Sequence, residues 1–373
     1  MSSTATATVN PPLLSLTPIN IIDGILDYLV NDVPSLYRLG ICSKTWCRST
    51  LPILYRTCTT LALPTLGSND PFTLKIIAVH PANFVRQLLI YTEDHEQCVQ
   101  QHFRDAVMNI DIYSQKALTH FNYISEDLSL HDVWNDYIPN SLRIENITLN
   151  CPLQRQTPQV LSLFSLCTRK ITFNWKYITH QTSYTAIATL LPLLSNTSSR
   201  ITSLHLAIPH ILDITDSKLL QSVLDSKQFH FPQLAEFYLE EFLADIVITP
   251  FLQRHPTICM LTASWLHAGD ADEEIKAGTL LRNLTGFDGL PVDAVHLTTI
   301  ISTPLTTLEL HGPSSNVVDD TLVCAALFNS GSLRQLYLHT SFTLTHIQTI
   351  SDSVPNLTAL HLPLAATTLS TDV

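Results

Sequence analysis

Leu305-Thr306-Thr307-Leu308-Glu309-Leu310 and, 28 residues later, Leu333-Arg334-Gln335-Leu336-Tyr337-Leu338 share one pattern, apolar-x-x-apolar-x-apolar. The last two apolar residues alternate with an outward residue, which is the period of a short strand with one buried face. Read outward from this pair, the pattern recurs at Val85/Leu88/Ile90, Leu118/Phe121/Tyr123, Ile144/Ile147/Leu149, Ile201/Leu204/Leu206, Leu234/Phe237/Leu239, Ile258/Leu261/Ala263 and Leu357/Leu360/Leu362. Weaker copies stand at Thr168/Ile171/Phe173 and Leu284/Phe287/Gly289. Eleven units result, with steps of 33, 26, 24, 33, 33, 24, 26, 21, 28 and 24 residues. A recurring step of that size is the signature of stacked repeats, in which each unit buries its apolar face only against its neighbours.

Between the strand-like cores the period changes to that of helices. Thr157-Pro158-Gln159-Val160-Leu161-Ser162-Leu163-Phe164 opens with a capping residue and a proline suited to a first helical position. Asp216 to Leu224 sets Leu219, Leu220, Val223 and Leu224 on one face, and Asp320–Phe328 and Leu344–Ile350 repeat the theme. The alternation resembles the leucine-rich-repeat family. That resemblance implies an α/β solenoid with parallel strands on a concave side and helices on a convex one. The Asn that commonly follows the Leu-x-Leu core in that family is mostly absent here at its usual offset.

The N-terminal part reads differently. Leu16-Thr17-Pro18-Ile19-Asn20-Ile21-Ile22-Asp23-Gly24-Ile25-Leu26-Asp27-Tyr28-Leu29 places apolar residues at 18, 21, 22, 25, 26 and 29, with Thr17 as N-cap and Pro18 at the first helical position. After Asn31-Asp32, the run Val33 to Cys42 offers Leu36, Leu39 and Ile41 or Cys42 to the same small core, and Trp46 of Ser43-Lys44-Thr45-Trp46 closes it. Leu51-Pro52-Ile53-Leu54-Tyr55-Arg56 leads into a first repeat strand expected at Thr59 to Leu63. This segment resembles an F-box of the fungal type, departing from it where Thr17 separates Leu16 from Pro18 and Asn20 stands in place of the usual Glu. The expected organisation is a disordered lead-in over 1–12, a three-helix F-box over 13–60 and a leucine-rich-repeat domain over 61–373. The tail after Leu362 is only eleven residues, and Ala365-Ala366-Thr367-Thr368 is a poor polar cap for a solenoid end. Of a truncated chain and a weakly ordered last unit, truncation is the favoured reading.

Composition narrows the function classes. No apolar run approaches the ~20 residues that span a bilayer, and the sequence shows no basic-then-apolar signal peptide; a cytoplasmic or nuclear location is expected. With 20 Lys and Arg against 32 Asp and Glu, and no basic cluster, phosphate backbones are repelled and nucleic acid is not expected as a partner. Eight cysteines without a C-x-x-C pair read as buried free thiols, not disulfides or a metal site. Asn-x-Ser/Thr triplets at Asn146, Asn196, Asn283 and Asn356 have no secretory context to give them meaning. Nucleophile-elbow and phosphate-loop motifs are missing. His95 and His102 lie seven apart, two helical turns or about 10 Å of rise, too far to share one zinc. No enzyme, cofactor or metal is expected.

Strand alternation puts His205, His311, His339 and His361 on the concave face, with Tyr238, Glu240, Glu309 and Tyr337 as neighbours. Such a surface suits protein recognition, where aromatic residues concentrate. The two resemblances together imply a substrate-recognition adaptor of an SCF-type cullin-RING ubiquitin ligase, with the F-box on the linker subunit and the repeats on a protein substrate. The residues expected at the linker are Leu16, Pro18, Ile19, Ile21, Ile22, Ile25, Leu36 and Leu39, some of which must instead pack the module itself. The alternative is a binding scaffold with no ubiquitin link. In that case the N-terminal helices cap the stack and bury Pro18 and Ile21.

Overall fold

The computed structural model describes residues 19–59, 64, 67, 80–92, 97–114, 118–125, 142–150, 166–174, 200–207, 214–240, 247–263, 281–299, 304–311, 331–339, 350 and 352–362. The chain divides into two compact units, residues 1–122 with 136–143, and 123–135 with 144–373.

The first unit opens with three helices, α1 (Ile19–Tyr28), α2 (Val33–Cys42) and α3 (Lys44–Leu54). Asp32 caps α2 by accepting from Ser35 N at 3.1 Å, and Ser43 caps α3 by accepting from Trp46 N at 3.2 Å. Each cap satisfies an amide that helix geometry leaves without a partner. Ile22, Leu26, Leu36 and Trp46 form the buried centre, with Leu29, Leu39, Ile53 and Leu54 packed around it. Trp46 thus closes the core as its position predicts. Ile41 and Cys42 do not join it: both are exposed on the last turn of α2. Beyond the module come β1 (Thr57–Thr59), a short 3₁₀ turn (Pro81–Phe84), β2 (Gln87–Thr92), α4 (Gln97–Tyr113) and β3 (Leu118–Ser125). The first strand therefore starts two residues before the expected Thr59, and residues 60–63 lie outside the described set.

The second unit carries β4 (Ile144–Asn150), β5 (Cys167–Asn174), β6 (Ser203–Ala207), β7 (Glu236–Glu240), β8 (Met260–Ala263), β9 (Gly286–Gly289), β10 (Thr307–Leu310), β11 (Gln335–Leu338) and β12 (Ala359–His361). Helices α5 (Ile214–Asp225), α6 (Thr249–Arg254) and α7 (Pro291–Thr299) fall between strands. In this unit strand order is chain order, β4 to β12, and each strand pairs in parallel with the next. One parallel strand per repeat, with helices in the returns, is an α/β solenoid of the leucine-rich-repeat type. Each of the eleven repeat cores read from the sequence coincides with one strand, β2 to β12.

Register explains why. Ile171, Leu204, Phe237, Leu261, Phe287, Leu308 and Leu336 align across adjacent strands, and two residues on so do Phe173, Leu206 and Leu239, and again Ala263, Gly289, Leu310 and Leu338; all of these residues are buried. Helix α6 closes the other side: the Phe251 ring packs, tilted by 38° and 35°, against Phe237 at 4.5 Å between ring centroids and against Phe229 at 5.4 Å. The two weak copies are explained by local adjustments. At Thr168 the buried first position is filled by Cys167, because β5 carries one extra residue where Ile144↔Cys167 is followed by Asn146↔Lys170. At Gly289 the missing side chain leaves room for the Phe287 ring, and a Cβ there would run into that ring and the Ala263 carbonyl.

A ladder of hydroxyl groups ties the repeats together. Thr202, Thr285, Thr306 and Thr358 each follow the first apolar residue of a unit, and each Oγ1 donates to the carbonyl at the same position of the preceding unit: Arg169 (3.3 Å), Cys259 (3.2 Å), Thr285 (3.0 Å) and Arg334 (2.9 Å). In the first unit Thr119 does the same to Arg86 at 2.9 Å. Two successive amides converge on these carbonyls as well; Thr285 N and Gly286 N both reach Cys259 O. Two of the Asn-x-Ser/Thr asparagines have the same kind of structural work, Asn283 donating to Pro256 O at 2.9 Å and Asn356 to Gly331 O at 2.8 Å.

Candidate functional site

On the helical module the apolar positions of α1 split into two stripes. Ile22 and Leu26 point into the core at 4% and 5% exposure, with Leu29 half-buried beside them. Ile21, Ile25 and Tyr28, spaced four and three apart, form a second stripe in solvent, with Tyr28 88% exposed. Helix α2 repeats the division: Leu36 is fully buried and Leu39 half-buried, while Val33, Tyr37 and Ile41, spaced four apart, are exposed. Burial therefore sorts the expected linker residues. Ile21 and Ile25 are surface side chains; Ile22 and Leu36 are core, because a helix that presented them outward would leave Trp46 uncovered. Leu16 and Pro18 lie outside the described residues, as does the side chain of Ile19.

On the repeats the outward residue of each strand falls in one register row. Thr172, His205, Tyr238, Thr262 and Asp288 follow one another across β5 to β9, and Glu309, Tyr337 and His361 continue across β10 to β12. His205, Tyr238, Glu309, Tyr337 and His361 thus share a row. His311 and His339 stand two residues further on, linked to the sheet through His311 N to Gly289 O and His339 N to Leu310 O, both 3.0 Å. Glu240 lies at the end of β7 in that second row, its side chain outside the described set.

The row is not a set of isolated polar tips. His205 and Tyr238 rings meet at 5.5 Å, and Lys170 Nζ lies 5.2 Å from the Tyr238 ring centre. Burial, and after it the Glu236 carboxylate, push the Tyr238 phenol up to about 12, so it is a neutral hydrogen-bonding group across the physiological range. Tyr337 and His361 stack at 4.2 Å and 4°, and His311 and His339 at 4.2 Å and 11°. Asp288, in the weak unit, was missed from the sequence although its place between Phe287 and Gly289 marks it as outward; its Oδ2 accepts from Thr262 Oγ1 at 3.2 Å.

No family model matches the chain, and no curated protein matches it. Among solved structures it is similar to TLR13 in complex with ssRNA13, at TM-score 0.43 and 12% identity, over 76% of this chain and 43% of that one. It is also similar to Rad7 in the yeast complex of Rad7 and Elc1, at TM-score 0.43 and 16% identity, over 94% and 93% of the two chains. The chain spans less than half the length of that TLR13 chain.

Proposed function

We propose that the chain is a non-catalytic adaptor of an SCF-type cullin-RING ubiquitin ligase: the helical module is an F-box that docks the linker subunit, and the outward strand face of the repeats holds a protein substrate. The observation that carries the first half is the exposed stripe Ile21, Ile25 and Tyr28 with its counterpart Val33, Tyr37 and Ile41, outside a core that Ile22, Leu26, Leu36 and Trp46 already complete. Apolar side chains lined up at helical spacing in water indicate a surface that a partner covers. The alternative scaffold reading needs Ile21 covered by the repeats, and Ile21 is 49% exposed.

In this reading the protein supplies proximity. Holding a substrate and a ubiquitin-charged enzyme in one assembly raises the effective concentration of the reacting groups without a nucleophile, acid or base from this chain. The aromatic and histidine row would supply the recognition surface. The test is a pulldown of the intact chain and of an Ile21→Asp/Ile25→Asp variant from fungal cells, probing for cullin and linker subunit. Recovery by the intact chain alone supports the adaptor; recovery by neither, with the variant folded, supports the scaffold.

A further inference from the structure

We infer that Glu309, His311 and His339 form a binding site for a divalent transition-metal ion of the zinc class on the outward face of the repeats. The three residues come from adjacent repeats: Glu309 lies in β10, His311 follows that strand, and His339 follows β11. One donor atom from each lies within 4.8 Å of the other two. Both imidazoles bring Nε2 to the same carboxylate oxygen, Glu309 Oε1, at 2.6 Å from His339 and 3.7 Å from His311. Two donors bound about 2.1 Å from one ion at tetrahedral or octahedral angles stand about 3.0–3.4 Å apart. The two nitrogen–carboxylate separations bracket that range, and rotation of one imidazole would close the nitrogen pair on an ion without moving the strands.

Two further features fit a cation. The His311 and His339 rings stack 4.2 Å apart with both Nε2 atoms on the Glu309 side, and a turn of one ring about its Cβ–Cγ bond brings both in-plane lone pairs to one ion. Asp288 brings a second carboxylate: its Oδ1 is shut off from solvent, accepts no hydrogen bond of normal geometry, and stands 2.6 Å from His311 Nε2, while Oδ2 is held by Thr262. Two carboxylates and two imidazoles match zinc, cobalt or nickel better than calcium or magnesium, which favour oxygen-only shells. The His311 and His339 side chains are 44% and 47% exposed, so positions facing solvent stay open for water or for a donor from a bound protein. The site is not visible within any one helix or loop of the sequence, because His311 and His339 are 28 residues apart along the chain and are brought together by repeat register. The inference does not depend on the adaptor reading.

The test uses the full chain freed of metal with a chelator and titrated with Co²⁺ and with Zn²⁺. One equivalent of Co²⁺ is expected to give a d–d absorption band without thiolate charge transfer, displaced by one equivalent of Zn²⁺. Glu309→Gln and His339→Gln are each expected to weaken Zn²⁺ binding about a hundredfold while leaving the metal-free melting temperature and circular dichroism unchanged. A distant exposed histidine, changed as His120→Gln, is expected to leave binding intact. Absence of a stoichiometric site, a spectrum dominated by thiolate, or unchanged affinity in both cluster variants would overturn the inference.

Discussion

The helical module and the repeat unit bury apolar residues by opposite strategies. In the repeats each inward position is covered by the same position of the next unit, so Phe237, Phe287 and Leu308 are at most 1% exposed and the outward face is polar and aromatic. In the module four residues make the buried centre while a comparable set, Tyr28, Val33, Tyr37 and Ile41 among them, stays in water. A solenoid satisfies its apolar surface from its own sequence; the module leaves surface over. The module presents an exposed apolar stripe, and the repeats present directional polar groups.

The largest effect should come from breaking the repeat core. Phe237→Ala removes a ring packed against Phe251 and is expected to destabilise the second unit by about 3–5 kcal/mol, read from the urea unfolding midpoint. Next is acid sensitivity. His255 is buried, donates from Nδ1 to Phe251 O at 2.7 Å and accepts from Phe231 N at 2.9 Å through Nε2. Burial is the main cause that lowers its pKa to about 4. The unfolded chain takes up this proton near the ordinary value of about 6.5, so the folded state loses stability as pH falls from about 6.5 to 4, by roughly 3 kcal/mol in all. His255→Gln should flatten that part of a stability–pH curve. The hydroxyl ladder comes third: Thr306→Val keeps the shape and removes one donor to Thr285 O, with an expected loss of about 1 kcal/mol in the same unfolding assay. Smallest is Ile25→Asp in the module, a surface change expected to shift stability by no more than about 0.5 kcal/mol while abolishing linker binding.

The repeat architecture was legible because its signal is redundant: a three-residue apolar pattern repeated eleven times survives Phe, Ile, Ala or Gly in any one copy. Single events were not. Cys167 replaces Thr168 through an extra residue in β5, which only pairing reveals, and β1 begins at Thr57 because it pairs with Gln87. The threonine ladder was visible in principle, since Thr119, Thr202, Thr285, Thr306 and Thr358 occupy one repeat position. On α1 the apolar set spans more than one face, and periodicity does not say which stripe meets Trp46; hence Ile22 and Leu36 stood beside Ile21 and Ile25 among the expected linker residues. The outward row followed from alternation, whereas the meeting of Glu309, His311 and His339 depends on how side chains of neighbouring repeats turn.

The most direct test is calorimetric titration of purified linker subunit into the intact chain, into Ile21→Asp/Ile25→Asp and into Tyr337→Ala/His361→Ala. Binding by the intact chain and the strand-face variant, and none by the module variant, is the predicted result. Equal binding by all three, or loss only in the strand-face variant, would contradict the proposed division of labour between the two regions.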